Sequence, residues 1–352
     1  MSNRPSPTGS SATTSGGQGT TTATLPRGSD VDFELQMEAH RRQLTGYCYR
    51  MLGSGFEAED AVQETMLRAW KAAERFEGRS SLRSWLYRIA TNVCLDMAAG
   101  PQRRARPMDL GPGSSADGHL APGLDERTWV FPVADGRVLP QGDPAEVAAQ
   151  RDTIRLAFIA ALQHLPPRQR AVLILREVLR WHADEVAELL ETTVASANSS
   201  LQRARATLAA VKPDDERQRA PVDRDQQELL ARYIEAFERY DIETLVRLLH
   251  EDAVQSMPPF AHWLRGGDEI GRWMLGAGSG CAGSRALPIA ANGCAAVGVY
   301  RPNAADGSDG PGTHHPFAIQ VIESTEGKIS GIHAFLYPEL FAAFGLPSFL
   351  GA

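Results

Sequence analysis

Residues 192–210, TTVASANSSLQRARATLAA, decide how this chain is read. Val194, Ala197, Leu201, Ala204 and Leu208 recur at steps of three and four, the repeat of one apolar helix face. The other face carries Ser196, Asn198, Ser199, Gln202, Arg203 and Arg205, hydrogen-bonding and positive with no acid on it. Just upstream, WHADEVAELLE supplies a shorter helix and a turn, so the pair has helix-turn-helix geometry. Such a second helix fits the major groove, where Ser, Asn and Gln pair with base edges and Arg with guanine or phosphate. A plain helical hairpin with a solvated face has the same periodicity, and spacing alone leaves both readings open.

The rest of the chain bounds the choice. Its 352 residues, 43% hydrophobic and 22% charged, suit two or three globular domains rather than one core. No run approaches the roughly 18 apolar residues of a membrane span, so no membrane partner is expected. Residues 1–30 are polar, lack the apolar stretch of a signal peptide and read as a disordered tail. Cys48, Cys94, Cys281 and Cys294 are scattered, which argues against a disulfide framework or a zinc site and for a cytoplasmic chain. His314 and His315 read as a loop feature; no metal and no cofactor is expected.

Net charge is −7, an unpromising value for a nucleic-acid binder. From Pro221 onward, however, 16 acids face 9 Lys and Arg, which accounts for the whole excess and leaves residues 1–220 neutral. Within that neutral part, residues 79–106 hold six arginines against the single Asp96. Positive potential is thus concentrated where a polyanion can dock.

Helical patterns fill residues 31–100. A first helix, VDFELQMEAHRRQLTGYCYRML, ends at Gly53 and Gly55; a second buries Ala61, Val62, Thr65, Met66, Ala69 and Trp70; a third starts after a Ser80-Ser81 cap. Residues 101–144 turn to Gly, Pro, Ser and Asp and read as a linker, although RTWVFPVADGRVLP within it is apolar enough to lie on a partner surface. Helices resume over 145–212, a polar hinge occupies 213–221, and residues 222–352 pass from amphipathic helices to strands such as HPFAIQVIEST and KISGIHAFLYP, an α+β pattern.

At this point the segment LPPRQRAVLILREVL with VASANSSLQRARATL resembles region 4 of bacterial sigma factors of the extracytoplasmic-function group. EAEDAVQETMLRAW with RFEGRSSLRSWLYRIATNVCLD resembles their region 2. The resemblance implies two all-α sigma domains, with RNA polymerase core and promoter DNA as partners. It assigns Asp60, Gln63, Glu64 and Arg68 to the grip on the polymerase, a face that without it would read as merely solvated. It assigns Arg79, Ser80, Ser81, Arg83, Arg88 and Asn92 to capture of the unpaired −10 strand, which needs phosphate neutralisation and surfaces that hold extruded bases. Trp85 is by spacing a core residue rather than a stacking platform. The six polar residues of the opening stretch fall to the −35 duplex. This chain departs from the pattern at Glu191, where the family's turn usually has Gly; a left-handed residue there costs roughly 1 kcal/mol, so an altered turn is expected. Asn198 and Ser200 stand where many relatives carry Lys or Arg, implying fewer phosphate contacts.

Residues 222–352 resemble the SnoaL-like fold, a conical α+β barrel, completing a multidomain architecture. Such cones hold a pocket; Asp252, His262, Trp263 and His333 are the candidates to line it and a small molecule its candidate ligand, though each His has an ordinary structural reading too. The expected function is a non-enzymatic sigma factor regulated in cis, its acidic C-terminal domain lying against the basic DNA-facing surfaces. A SnoaL-type enzyme tethered to a DNA-binding module is the alternative from another class, in which an Asp or His would act as acid or base. A plain helix-turn-helix repressor would leave the polymerase-gripping face unexplained.

Overall fold

The computed structural model describes residues 28–76, 80–100, 103–211, 224–302 and 312–351. The amino-terminal unit is a helical bundle of α1 (Gly28–Glu38), α2 (Arg41–Leu52), α3 (Gly55–Lys71) and α4 (Leu82–Met97). Gly53 closes α2 in the left-handed conformation, φ 75°, its N–H donating to the Tyr49 carbonyl. Ser54 and Ser81 cap α3 and α4, their hydroxyls accepting from Glu57 and Ser84 N–H groups. Three expectations change. The first predicted helix is two, broken at Ala39 and His40, and it begins at Gly28, so residues 28–30 are helical while the rest of the predicted tail lies outside the described residues. Trp70 is 40% exposed, because Val62, Thr65 and Ala69 already fill the inner face of α3.

The connecting segment is ordered over its described residues. It runs from Arg103 through the short α5 (Asp135–Val138) into α6 (Pro144–Arg151). Arg104 donates to the Trp129 carbonyl at 2.7 Å and pairs with Glu57 of α3 at 2.5 Å. Trp129, Val130 and Phe131 are buried, so the apolar stretch does lie on a surface, and that surface belongs to this chain. The second helical unit follows as α7 (Leu156–Leu162), α8 (Pro167–Leu173), a π-helical turn over Ile174–Val178, α9 (Ala183–Leu189) and α10 (Val194–Val211). It does not stand apart from the first. Arg170 of α8 is buried and donates to the Met51 carbonyl of α2 and to Gln163 Oε1.

The carboxy-terminal unit is a six-stranded mixed sheet with helices α11 (Arg224–Glu238), α12 (Ile242–Leu248) and α13 (Gly267–Leu275) on one face. Its strands are β1 (Leu249–Ser256), β2 (Trp263–Arg265), β3 (Arg285–Ala291), β4 (Cys294–Pro302), β5 (His314–Thr325) and β6 (Lys328–Phe335), followed by α14 (Leu340–Ala343). They run in the order β2-β1-β6-β5-β4-β3, with β1 and β6 parallel. His314 and His315 open β5 rather than sit in a loop. Alternation along β5 gives the sheet two apolar faces. Ile322 packs with the α11–α13 core, whereas Ile319 and Val321 join a core that runs through both amino-terminal units. That second face explains why one hydrophobic cluster extends from Met37 to Phe341.

Candidate nucleic-acid interface

Helix α10 displays the residues predicted to read duplex. Ala197, Leu201 and Ala204 are buried, and Ser196, Asn198, Ser199, Gln202, Arg203 and Arg205 are all exposed. Arg203 is steadied by the Ser200 hydroxyl at 3.1 Å, and Arg205 pairs with Glu177. Val194, expected inward, is 43% exposed, since the helix begins there beyond the reach of α8 and α9. The turn before it is intact: Glu191 takes the left-handed conformation at φ 52°, in place of the altered turn expected. Thr193 then accepts the Ser196 N–H at 3.1 Å and caps the helix.

On α4 and the loop before it, Ser81 and Asn92 are exposed and Ser80 is half-buried; Arg79 lies outside the described residues. Arg83 lays its guanidinium over Tyr87 and Trp181, 5.6 and 5.1 Å from the ring centroids. Trp181 precedes α9, so this cation–π contact joins the two helical units. Arg88 does the same, donating to the Glu188 carbonyl at 3.2 Å and facing its carboxylate at 3.5 Å. Two of the candidate −10 arginines are therefore engaged by the neighbouring unit. Trp85 packs against Phe76 at 4.9 Å and Phe33 at 6.4 Å, in keeping with a core role.

Asp60, Gln63 and Arg68 are exposed on α3 and Glu64 is half-buried. Arg68 pairs with Glu64 at 2.6 Å and Asp96 at 3.5 Å, and the Glu64 bond raises the guanidinium pKa further. Leu67 and Trp70 are exposed beside them, an apolar addition to the charged face that an inward reading of Trp70 had hidden.

The four pocket candidates differ in their surroundings. Asp252 is exposed. His262 is buried against Trp273 of α13 with ring centroids 4.6 Å apart, and burial lowers its pKa. Trp263 and His333 lie in one cross-strand row with Ser256 between them, paired residues sharing a face. His333 Nδ1 is 2.9 Å from the Ser256 hydroxyl and Nε2 is 3.7 Å from Glu323. The row continues through Val321 into the face that packs on the amino-terminal half. Trp263 is covered by the connecting segment, its Nε1 donating to the Gly111 carbonyl at 3.0 Å.

The tip of the β3–β4 hairpin, which sequence reasoning passed over, is the centre of the assembly. Asn292 and Gly293 have φ 54° and 69°, the left-handed pair of a tight hairpin turn. The Asn292 side chain donates to Tyr49 Oη at 2.6 Å and the Ile154 carbonyl at 2.7 Å, and accepts from Val133 N–H at 3.0 Å. One buried amide thus bonds α2, the connecting segment and the entry to the second helical unit. Gly293 N–H donates to Asp135 at 2.8 Å, and a Cβ on Gly293 would lie 2.8 Å from the Arg151 carbonyl. Phe131 extends the junction, touching Phe56 at 6.0 Å and Tyr337 at 4.7 Å between centroids. The hairpin tip docks through apolar and hydrogen-bonded contacts, and three arginines of residues 79–106 find their acids within the amino-terminal part: Arg88 pairs with Glu188, Arg104 with Glu57 and Arg106 with Asp109. An Asn-Gly dipeptide is a hairpin signal that went unread, and nothing local marks what this hairpin enters.

A helical bundle, a helix-turn-helix unit and an appended α+β unit, with a polar and basic face on α10, define a protein of the helix-turn-helix DNA-binding class. Residues 37–104 match the family model described as Sigma-70 region 2, residues 155–208 that for Sigma-70, region 4, and residues 230–331 the SnoaL-like domain. The chain is 44% identical over 326 residues to the ECF RNA polymerase sigma factor SigG of Mycobacterium tuberculosis, covering 91% of this chain and 85% of that one. It is 28% identical to SigJ of the same organism, over 87% of this chain and 92% of that protein. The crystal structure of Mycobacterium tuberculosis SigJ superimposes with a TM-score of 0.57 at 24% identity, over 90% of this chain and 99% of that one, a likeness of fold. The chain belongs to the ECF RNA polymerase sigma factors, a family of transcription initiation factors, and carries a C-terminal SnoaL-like domain. Among the described residues no helix is long and apolar enough to cross a membrane, and no cluster of three or more His, Cys, Asp or Glu forms a metal site.

Proposed function

We propose that this chain directs core RNA polymerase to a small set of promoters, and that the SnoaL-like domain regulates it in cis by holding the two sigma units together. In this reading Asp60, Gln63, Glu64 and Arg68 grip the polymerase, the Ser80–Asn92 face with Arg79 holds the opened −10 strand, and α10 reads the −35 duplex. Acting on a chromosome, the chain works in the cytoplasm. The observation that carries the regulatory part is Asn292, bonded at once to the first unit, the connecting segment and the second unit. Elements named −10 and −35 are about 25 steps apart, roughly 85 Å of duplex at 3.4 Å per step. Helices α4 and α9 in contact through Arg88 and Glu188 do not reach across that span, so promoter engagement requires the units to separate.

The test is run-off transcription with purified core polymerase on a genomic promoter library. Asn292→Ala in the full chain is expected to transcribe more per molecule than the unaltered chain, as is a truncation ending at Val211 whose helicity matches. If neither exceeds the full chain, the cis-regulatory reading fails. If the full chain and the truncation both lack affinity for core polymerase, the initiation reading fails with it.

A further inference from the structure

Where the two sigma units meet the connecting segment, a cleft of about 300 Å³ remains. Four guanidiniums line it, Arg42, Arg50, Arg83 and Arg180, against two carboxylates, Glu146 and Glu177. Glu177 is already paired with Arg205 of α10. Arg50 is the unusual member. It is 1% exposed, and each of its hydrogen-bond acceptors is neutral: the Gly46 carbonyl at 2.7 Å, the Thr153 hydroxyl at 2.6 Å and Gln150 Oε1 at 3.5 Å. Buried arginines are ordinarily held against an anion. Burial lowers the Arg50 pKa to about 10, which leaves it charged at neutral pH. Beside it the Tyr87 hydroxyl, on a fully buried ring that lines the same cleft, faces the Arg83 guanidinium, which can only donate, and finds no acceptor for its own proton among the described residues. A charged donor and a hydroxyl without an acceptor therefore share the inner wall of a positive cleft. Buried polar groups are as a rule hydrogen-bonded.

We infer that this cleft binds a small phosphorylated molecule, with Arg50 and Tyr87 on the inner wall and Arg42, Arg83 and Arg180 at the mouth. A phosphate suits the site better than a carboxylate. Its charge of up to two answers the excess of arginine over glutamate, and its three terminal oxygens accept from guanidiniums on different elements. The walls come from both sigma units: Arg42, Arg50 and Arg83 from α2 and α4, Arg180 from the segment between α8 and α9. The site is thus complete only in the closed arrangement, which the ligand stabilises by linkage.

Calorimetric titration of the full chain with pyrophosphate and separately with AMP, at ionic strength fixed with sodium chloride, tests this without reference to transcription. We expect saturable one-to-one binding of at least one of them, and a melting midpoint raised by roughly 2 °C or more at ten times Kd. Tyr87→Phe removes only the hydroxyl, and Arg42→Gln with Arg180→Asn removes two charges while Asn tolerates the left-handed backbone of Arg180, φ 59°. Each variant, with unchanged helicity, is expected to bind roughly tenfold more weakly. Binding of pyrophosphate alone identifies a free polyphosphate site, and binding of AMP alone a nucleotide site. Absence of binding by both, equal binding by the variants, or a variant effect confined to duplex DNA overturns the inference.

Discussion

At Asp135 two effects oppose each other on one carboxyl. Burial dominates and pushes its pKa up to about 6, while the bond from Gly293 N–H pulls the other way and recovers only part of the shift. Between its ordinary value of 3.8 and about 6, the folded chain keeps a proton that the unfolded chain has released. Stability from this group is therefore greatest at low pH, falls as pH rises through that window, and is level above it. Asp135→Asn keeps an acceptor for Gly293 and does not ionise. Denaturant unfolding at about pH 4.5 and about pH 6.5 should show the variant gaining on the unaltered chain as pH rises; a constant difference between the two would refute this account. Neither Asp135 nor Asn292 stood out in the sequence, because an Asp at a helix start and an Asn-Gly turn are ordinary surface chemistry until another unit covers them.

Among the elements, the helix-turn-helix shows a local rule broken and the fold kept. Glu191 holds φ 52° where Gly avoids the penalty, and the packing of Val186, Leu189, Leu201 and Ala204 keeps the turn closed around it. Glu191→Gly is expected to stabilise by up to about 1 kcal/mol, read as a higher thermal midpoint with no change in duplex affinity. A lower midpoint would mean that the Glu191 side chain contributes more than its backbone costs. The apolar periodicity of α3, α4 and α10 was legible in the sequence, as was the serine cap of α4, whereas the Ser54 and Thr193 caps emerged with the structure. The break at Ala39–His40 was not, since neither residue is a helix breaker and the turn answers to packing.

In the whole molecule, the three units share one core, and Phe131 is its bridge between α3 and the end of β6. Phe131 is 2% exposed, so Phe131→Ala should cost about 3–5 kcal/mol. Because the lost contacts lie between units, the loss should appear as separation: a larger radius of gyration in small-angle scattering and an unfolding transition that splits in two. A variant that melts lower in one sharp step at unchanged radius would show that the units do not part independently. The same architecture places the closed contacts Arg83–Trp181 and Arg88–Glu188 on residues proposed for the −10 strand. Closure and promoter capture therefore compete for the same guanidiniums.

By itself the sequence determined the order of helical and strand regions and, Trp70 and Val194 apart, the apolar faces of α3, α4 and α10. Periods of 3.6 and 2 are written into the spacing of neighbouring side chains, and caps and turns into single residues. Its family resemblance carried the two sigma units and the cone. Only the tertiary structure decided what the spare apolar surfaces meet: the buried run Trp129–Val130–Phe131, the outer face of the sheet with Ile319 and Val321, and Asn292, which reaches Tyr49 across 243 positions of chain. Burial of those surfaces lowers the free energy whichever apolar face covers them, so no local pattern encodes the partner. Shape and the satisfaction of buried polar groups such as the Asn292 amide select it, and both exist only once the units are together.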